Sequence, residues 1–219
     1  MAEDEFEDNE LPWTEQQWEQ LMRRSDVRSA KFGELLETLR DEPDFEERIA
    51  HEMGWDRDDD EKPVFEIDAQ EEAGDDQEVE RILREEQEAL HKIAAYTRSN
   101  DWGMKVHDAL KDLLEKEAGT APADVEEDLS DAFGCTISVA AKIAGAHGMG
   151  YDDESLCGNI VCCNRALEEG ERGVKALESI MAKGLVDKEM MGPLIEEGHQ
   201  ITALIQEHIA ELRSRVWWD

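Results

Sequence analysis

Basic side chains are scarce in this chain: 23 lysines and arginines stand against 57 aspartates and glutamates, for a net charge of −34 over 219 residues. A field of that sign repels phosphate backbones and anionic lipid, which argues against ordinary nucleic-acid binding and against a membrane surface. The deficit is uneven, with 33 acids and 10 bases in residues 1–90 and 24 and 13 in residues 91–219. Such a surface suits a basic protein partner, cations or a salty cytoplasm, and it also serves plain solubility.

Long apolar runs are missing as well. No stretch approaches the roughly 20 residues that a membrane span needs. The opening "MAEDEFEDNE" has neither the basic n-region nor the apolar h-region of a secretory signal. Four cysteines in that setting read as reduced thiols, so the expected location is cytoplasmic. Paired CxxC ligand sets are absent, which removes a zinc ribbon. The glycines of 145–150 end a helical pattern instead of following a strand, which removes a nucleotide-binding loop. No internal repeat is visible, and no motif identifies a reaction or a cofactor.

Helical periodicity is what the chain does have. Residues 1–54 read as an N-terminal helical segment, 55–76 as an acidic linker and 77–219 as a helical bundle. In the first, Thr14 and Gln17 have capping-box spacing, with Trp13 and Trp18 placed to staple across it. A second amphipathic run holds Val27, Leu35, Leu36 and Leu39, and a short helix is expected between Pro43 and Gly54. In the linker, Asp56, Asp58 and Asp60 imitate the start of a calcium loop. Glu61 stands where that loop needs Gly, and Ile67 where it needs Glu. Val64–Ile67 reads as one short extended piece.

From 77 onward the stripes are strong. Val79, Leu83, Leu90, Ala94 and Thr97 form one, and Trp102, Val106, Ala109, Leu110 and Leu113 another, roughly 150° around a helix from the first. One straight helix cannot turn both towards one core, so a break is expected at Ser99–Asp101. Three further seams alternate steps of four and three: Leu129–His147, Leu156–Met181 and Met191–Leu212. Short glycine-bearing turns separate them at 148–153 and 183–187. The expected fold class is therefore all-α, an antiparallel up-down helical bundle with additional N-terminal helices.

Several candidate sites weaken on geometry. Glu88/His91 and Glu196/His199 have the Glu-x-x-His spacing of di-iron bundles. Yet His199 lies about 160° from the seam residue Ile201 and Glu196 about 140° the other way, so the pair faces solvent. "HEMGW" at His51 lacks the second histidine of a zinc protease. Cys157, Cys162 and Cys163 splay at about 0°, 140° and 240° round one helix, too far apart to share a metal ion.

Cys163 is nevertheless central in its seam. An antiparallel hairpin about the 183–187 turn pairs positions whose numbers add to about 371, setting Cys163 opposite His208. Thr136 or Ser138 is expected in the same layer. Cys163 and His208 are thus the candidate metal ligands, for a metal or haem, or a reactive thiol–imidazole pair. The plainer alternative is a buried thiol beside a hydrogen-bonded histidine. The same register sets Gly198 against Gly173, near Gly170, as a close approach or a cavity. Glu171 and Glu178, with His107 or Glu197, are a weaker candidate towards the other end.

Four of the six tryptophans sit at the chain ends, either clamping helices together or presenting anchors to a partner. Two functional expectations follow. The first is a non-catalytic interaction or assembly module that takes a basic protein partner or self-associates. The second is a metal- or haem-binding bundle, redox-active through Cys163 and His208. An acidic mimic of nucleic acid is a third.

Overall fold

The structure, a computed structural model, describes residues 11–55, 76–117 and 122–218. The calcium-like aspartates, the Val64–Ile67 piece and nearly all of the expected linker lie outside these. The described residues form seven α-helices and no strand: α1 (Glu15–Leu39), α2 (Phe45–Met53), α3 (Asp76–His91), α4 (Ala94–Glu117), α5 (Ala123–Met149), α6 (Asp153–Ala182) and α7 (Lys188–Arg213). No helix among them is long and apolar enough to cross a membrane. The chain divides into two compact units, Met1–Trp18 with Leu83–Asp219, and Glu19–Ile82.

The first unit is built on a closed ring of helices in which α4 packs on α5, α5 on α6, α6 on α7 and α7 back on α4. Cross-contacts run in opposite directions along each pair. Asp128 and Asp131 meet Lys183 and Arg172 on α5/α6, and Arg98 and Lys105 meet Gln200 and Glu197 on α4/α7. On α6/α7, Gly170 faces Thr202 and Gly198 faces Val174, within one residue of the register read from the hairpin. The expected seams turn inward: Leu129, Thr136, Ala140 and Ile143 are buried, as are Leu156, Ile160, Leu177, Met191, Ile201, Ile205 and Leu212.

Local chemistry ends these helices where the pattern changes. Gly150 (φ 98°) and Gly184 (φ 69°) take backbone conformations that suit glycine in the two tight turns. Asp152 then caps α6, accepting a hydrogen bond from Ser155 N at 2.9 Å. The break between the two stripes of 77–117 falls at Lys92–Ile93 and not at Ser99–Asp101. Thr97 Oγ1 donates to His91 O at 3.0 Å, holding the end of α3. Ser99 lies inside α4, fully buried, with its hydroxyl returned to Tyr96 O. A hydroxyl that satisfies itself on its own helix does not need to act as a cap.

In the second unit, residues 19–39 of α1 continue without interruption. The two runs read from the sequence are one helix, because nothing in "RRSDVRS" breaks it. The described residues of this unit bury two side chains, Leu39 and Ile49. Gly54 (φ 72°) closes α2, and Trp55 N then bonds to Ala50 O at 2.8 Å. The Trp55 ring lies 5.7 Å from that of Phe32.

Candidate functional site

The polar layer around Cys163 is organised by a residue that the sequence patterns did not single out. Asn159, fully buried, donates through Nδ2 to Gly150 O (2.9 Å), and its Oδ1 accepts from the Cys163 thiol (3.5 Å). One helical turn separates Asn159 from Cys163 on α6, so an Asn inside the apolar run "GNIVCC" was the available signal. The hydrogen bond ties α6 to the turn that precedes it. Nearby, Tyr151 Oη and His147 Nδ1 are 2.8 Å apart. His147 Nε2 sits 3.4 Å from Glu86 Oε2 without hydrogen-bond geometry.

His208 is half-buried, and no hydrogen bond among the described residues joins it to Cys163. At its level Ile209 is the buried residue of α7. Burial pushes the Cys163 thiol up to about 12, with the neighbouring Cys162 adding to the rise. Burial lowers the pKa of His208, opposed by Glu211. Both groups are thus held in their neutral forms near pH 7, which leaves little thiolate at Cys163 to act as a nucleophile. Cys135 behaves alike: burial first, then a hydrogen bond to Glu169, push it up to about 12. All four cysteines are free thiols.

Thr136 does not belong to the Cys163 layer. It lies at Trp102, about 15 Å further along α6 by helical rise. Trp102 is fully buried and donates through Nε1 to Leu194 O at 2.8 Å. The indole occupies the space opened by Gly173 and Gly198. A Cβ on Gly198 would stand 2.7 Å from Trp102 Cζ2 and 2.5 Å from Val174 Cγ2, and one on Gly173 would stand 2.9 Å from Thr136 Cγ2. The glycine pair is therefore a slot filled by a side chain from a third helix. Ser138 Oγ bonds to Cys135 O on its own helix.

The remaining candidates separate. Glu88, His91, Glu196 and His199 are all exposed. Glu171 and Glu178 are exposed too, and Glu178 lies 3.4 Å from His199. His107 stacks on Phe133 (4.8 Å), and Glu197 pairs with Lys105 (2.8 Å), so the four do not meet. Among the described residues, no three His, Cys, Asp or Glu side chains gather where they would hold a metal ion.

A groove of about 300 Å³ on the α5/α6 face is strongly charged, and its Asp128 and Asp131 are paired. Lys183 reaches Asp124 (2.8 Å) and Asp128 (2.7 Å), Ser179 donates to Asp128 (2.5 Å), and Arg172 pairs with Asp131 (2.7 Å). Burial pushes Asp128 up most, yet Lys183 and Ser179 together leave it below the usual carboxylate range.

At the opposite end of the bundle the tryptophans divide by role. The capping box forms, with Thr14 N to Gln17 Oε1 at 2.9 Å, and Trp13 stacks edge-on against Trp18 at 5.4 Å. Trp18 lies over Gly158, where a Cβ would stand 2.9 Å from Trp18 Cδ2. Arg213 holds Glu15 with two hydrogen bonds (2.8 and 2.7 Å), fastening the first turn of α1 to α7. Trp18 and Trp218 are half-buried, and their indole N–H groups have no acceptor among the described residues. Trp13 and Trp217 stay 44% and 68% exposed, and Trp217 Nε1 donates to Asp153 Oδ2 at 3.1 Å.

Fold and sites together define an all-α bundle whose buried Ser99, Thr136 and Asn159 make their hydrogen bonds internally. No family model matches the chain, and no curated protein or solved structure shows significant similarity to it.

Proposed function

We propose that the protein is a non-catalytic binding module of the cytoplasm whose acidic surface receives a basic protein partner. The observation that carries this reading is the placement of large apolar side chains in solvent beside carboxylates. Trp217 is held by Asp153 at one end of the bundle, and Met190 lies near Asp187 at the other. An exposed indole next to a carboxylate suits a lysine or arginine, through cation–π attraction and charge pairing. The raised thiols of Cys135 and Cys163 support a binding role over a nucleophilic one.

The test is capture from a cell lysate at low salt, elution with rising salt, and mass spectrometry of the eluate. The reading expects proteins more basic than the lysate average, released by salt and not competed by added DNA. Competition by DNA would favour the nucleic-acid mimic instead. Prey no more basic than the lysate would sink the binding role assigned here.

A further inference from the structure

The end of the bundle furthest from the tryptophans carries an open groove of about 390 Å³, a size at the small end of ligand sites. Its walls come from three places in the chain: Ala109 and Leu113 of α4, Leu185 and Val186 of the α6–α7 turn, and Met190 of α7. Met190 is 44% exposed. An unbranched thioether there adapts to the shape of what it meets, as methionines do on surfaces that receive varied helices.

Asp112 and Asp187 stand at the rim. Asp187 occupies the N-cap position of α7, where its side chain would ordinarily accept from a backbone N–H, yet it makes no such bond. Asp112 has no hydrogen bond or ion pair among the described residues. The nearby lysines are directed elsewhere, Lys183 to Asp124 and Asp128 and Lys111 to Asp108, while Lys188 is exposed beside Asp187. The contrast with the α5/α6 groove is direct: there Asp128 and Asp131 have cations, and here, among the described residues, Asp112 and Asp187 pair with none.

We propose that this groove is the docking site for a cationic amphipathic helix of a partner protein. One apolar side chain of that helix seats on Leu113, Leu185 and Met190, and lysines or arginines a turn away reach Asp112 and Asp187. Charge complementarity selects this occupant over a second copy of the chain, since two bodies of net charge −34 repel. The assignment rests on the binding-module reading and names the surface it uses.

The test measures fluorescence anisotropy of a labelled leucine–lysine amphipathic peptide against the full chain, with a lysine-only peptide of equal charge as control. The amphipathic peptide is expected to bind more tightly than the control. Asp112→Asn/Asp187→Asn should weaken binding about tenfold, as should Met190→Glu. Asparagine keeps a capping residue at 187, so the first variant guards against loss of fold. In methyl spectra of the complex, the Met190 signal should move and that of Met149, at the other end, should not.

If these variants weaken binding no more than Glu207→Gln/Glu211→Gln, which removes the same charge from the far end of α7, the groove assignment is overturned. The acidic-module reading then survives, with the cation bound elsewhere. If neither peptide binds the unmodified chain, both fall together.

Discussion

Within the four-helix ring, α6 alone buries fourteen residues, whereas the 25 residues of α1 bury Leu39 and the nine of α2 bury Ile49. Both regions are helical, but different physics holds them. The ring is stabilised by packing. Residues 19–39 of α1 draw on local terms such as the Arg23–Glu19 pair one turn apart (2.7 Å), worth a few tenths of a kcal/mol. Helical content by itself therefore says little about where stability lies.

The sharpest way to break the comparison is Trp102→Ala. It empties the slot at Gly173 and Gly198 and leaves Leu194 O without the indole, so it should cost the bundle about 3–5 kcal/mol. Chemical denaturation measures this. An effect below about 1 kcal/mol would mean that the slot collapses at little cost.

Native-state hydrogen exchange compares the two regions directly. Amides of the α6 centre are expected to exchange at least about a hundredfold more slowly than those of α2, which corresponds to about 2.7 kcal/mol of opening free energy. Equal protection would show that the second unit is held by contacts beyond those of Leu39 and Ile49.

Asn159→Ala is a smaller perturbation. It leaves Gly150 O and the Cys163 thiol without their partner, at a cost of about 1–3 kcal/mol. It should also raise the rate at which alkylating reagents label Cys163, which in the native chain should lag behind the half-buried Cys162.

The smallest expected effect is the pH dependence from His208. Its pKa is lower folded than unfolded, so the unfolded chain binds the proton first as pH falls. Stability from this group is complete above its unfolded pKa and declines as pH drops below about 6.5. His208→Gln should flatten that limb of the stability–pH curve.

Sequence reading recovered what is local or repeated. The antiparallel register of α6 and α7 follows from one short turn and two regular seams, and Gly170 against Thr202 lies within a residue of it. The opposed stripes of 77–117 showed that a helix must end there, but not where. Ser99 and Asn100 have the composition of a cap, while tertiary burial gave Ser99 another role. A strict seven-residue repeat puts His208 in the seam. A straight helix of 3.6 residues per turn drifts from that repeat, and Ile209 is the residue buried at that level. Thr136 lies at Gly173 and Trp102 and not at Cys163, because the α5 register hangs on a separate turn. The slot between Gly173 and Gly198 looked like either a close approach or a void. Its occupant comes from α4, and the pairing of α4 with α7 leaves no periodic trace in the chain.

The Trp102 hydrogen bond has a consequence for the order of assembly. Its acceptor, Leu194 O, belongs to α7, and both α5 and α6 must be made before it exists. Until α7 arrives, the largest side chain of the interior has one wall missing and its N–H faces water. The ring is thus a lock whose bolt is synthesised early and whose catch is synthesised late. A chain arrested before α7 should expose that indole and become a client for chaperones.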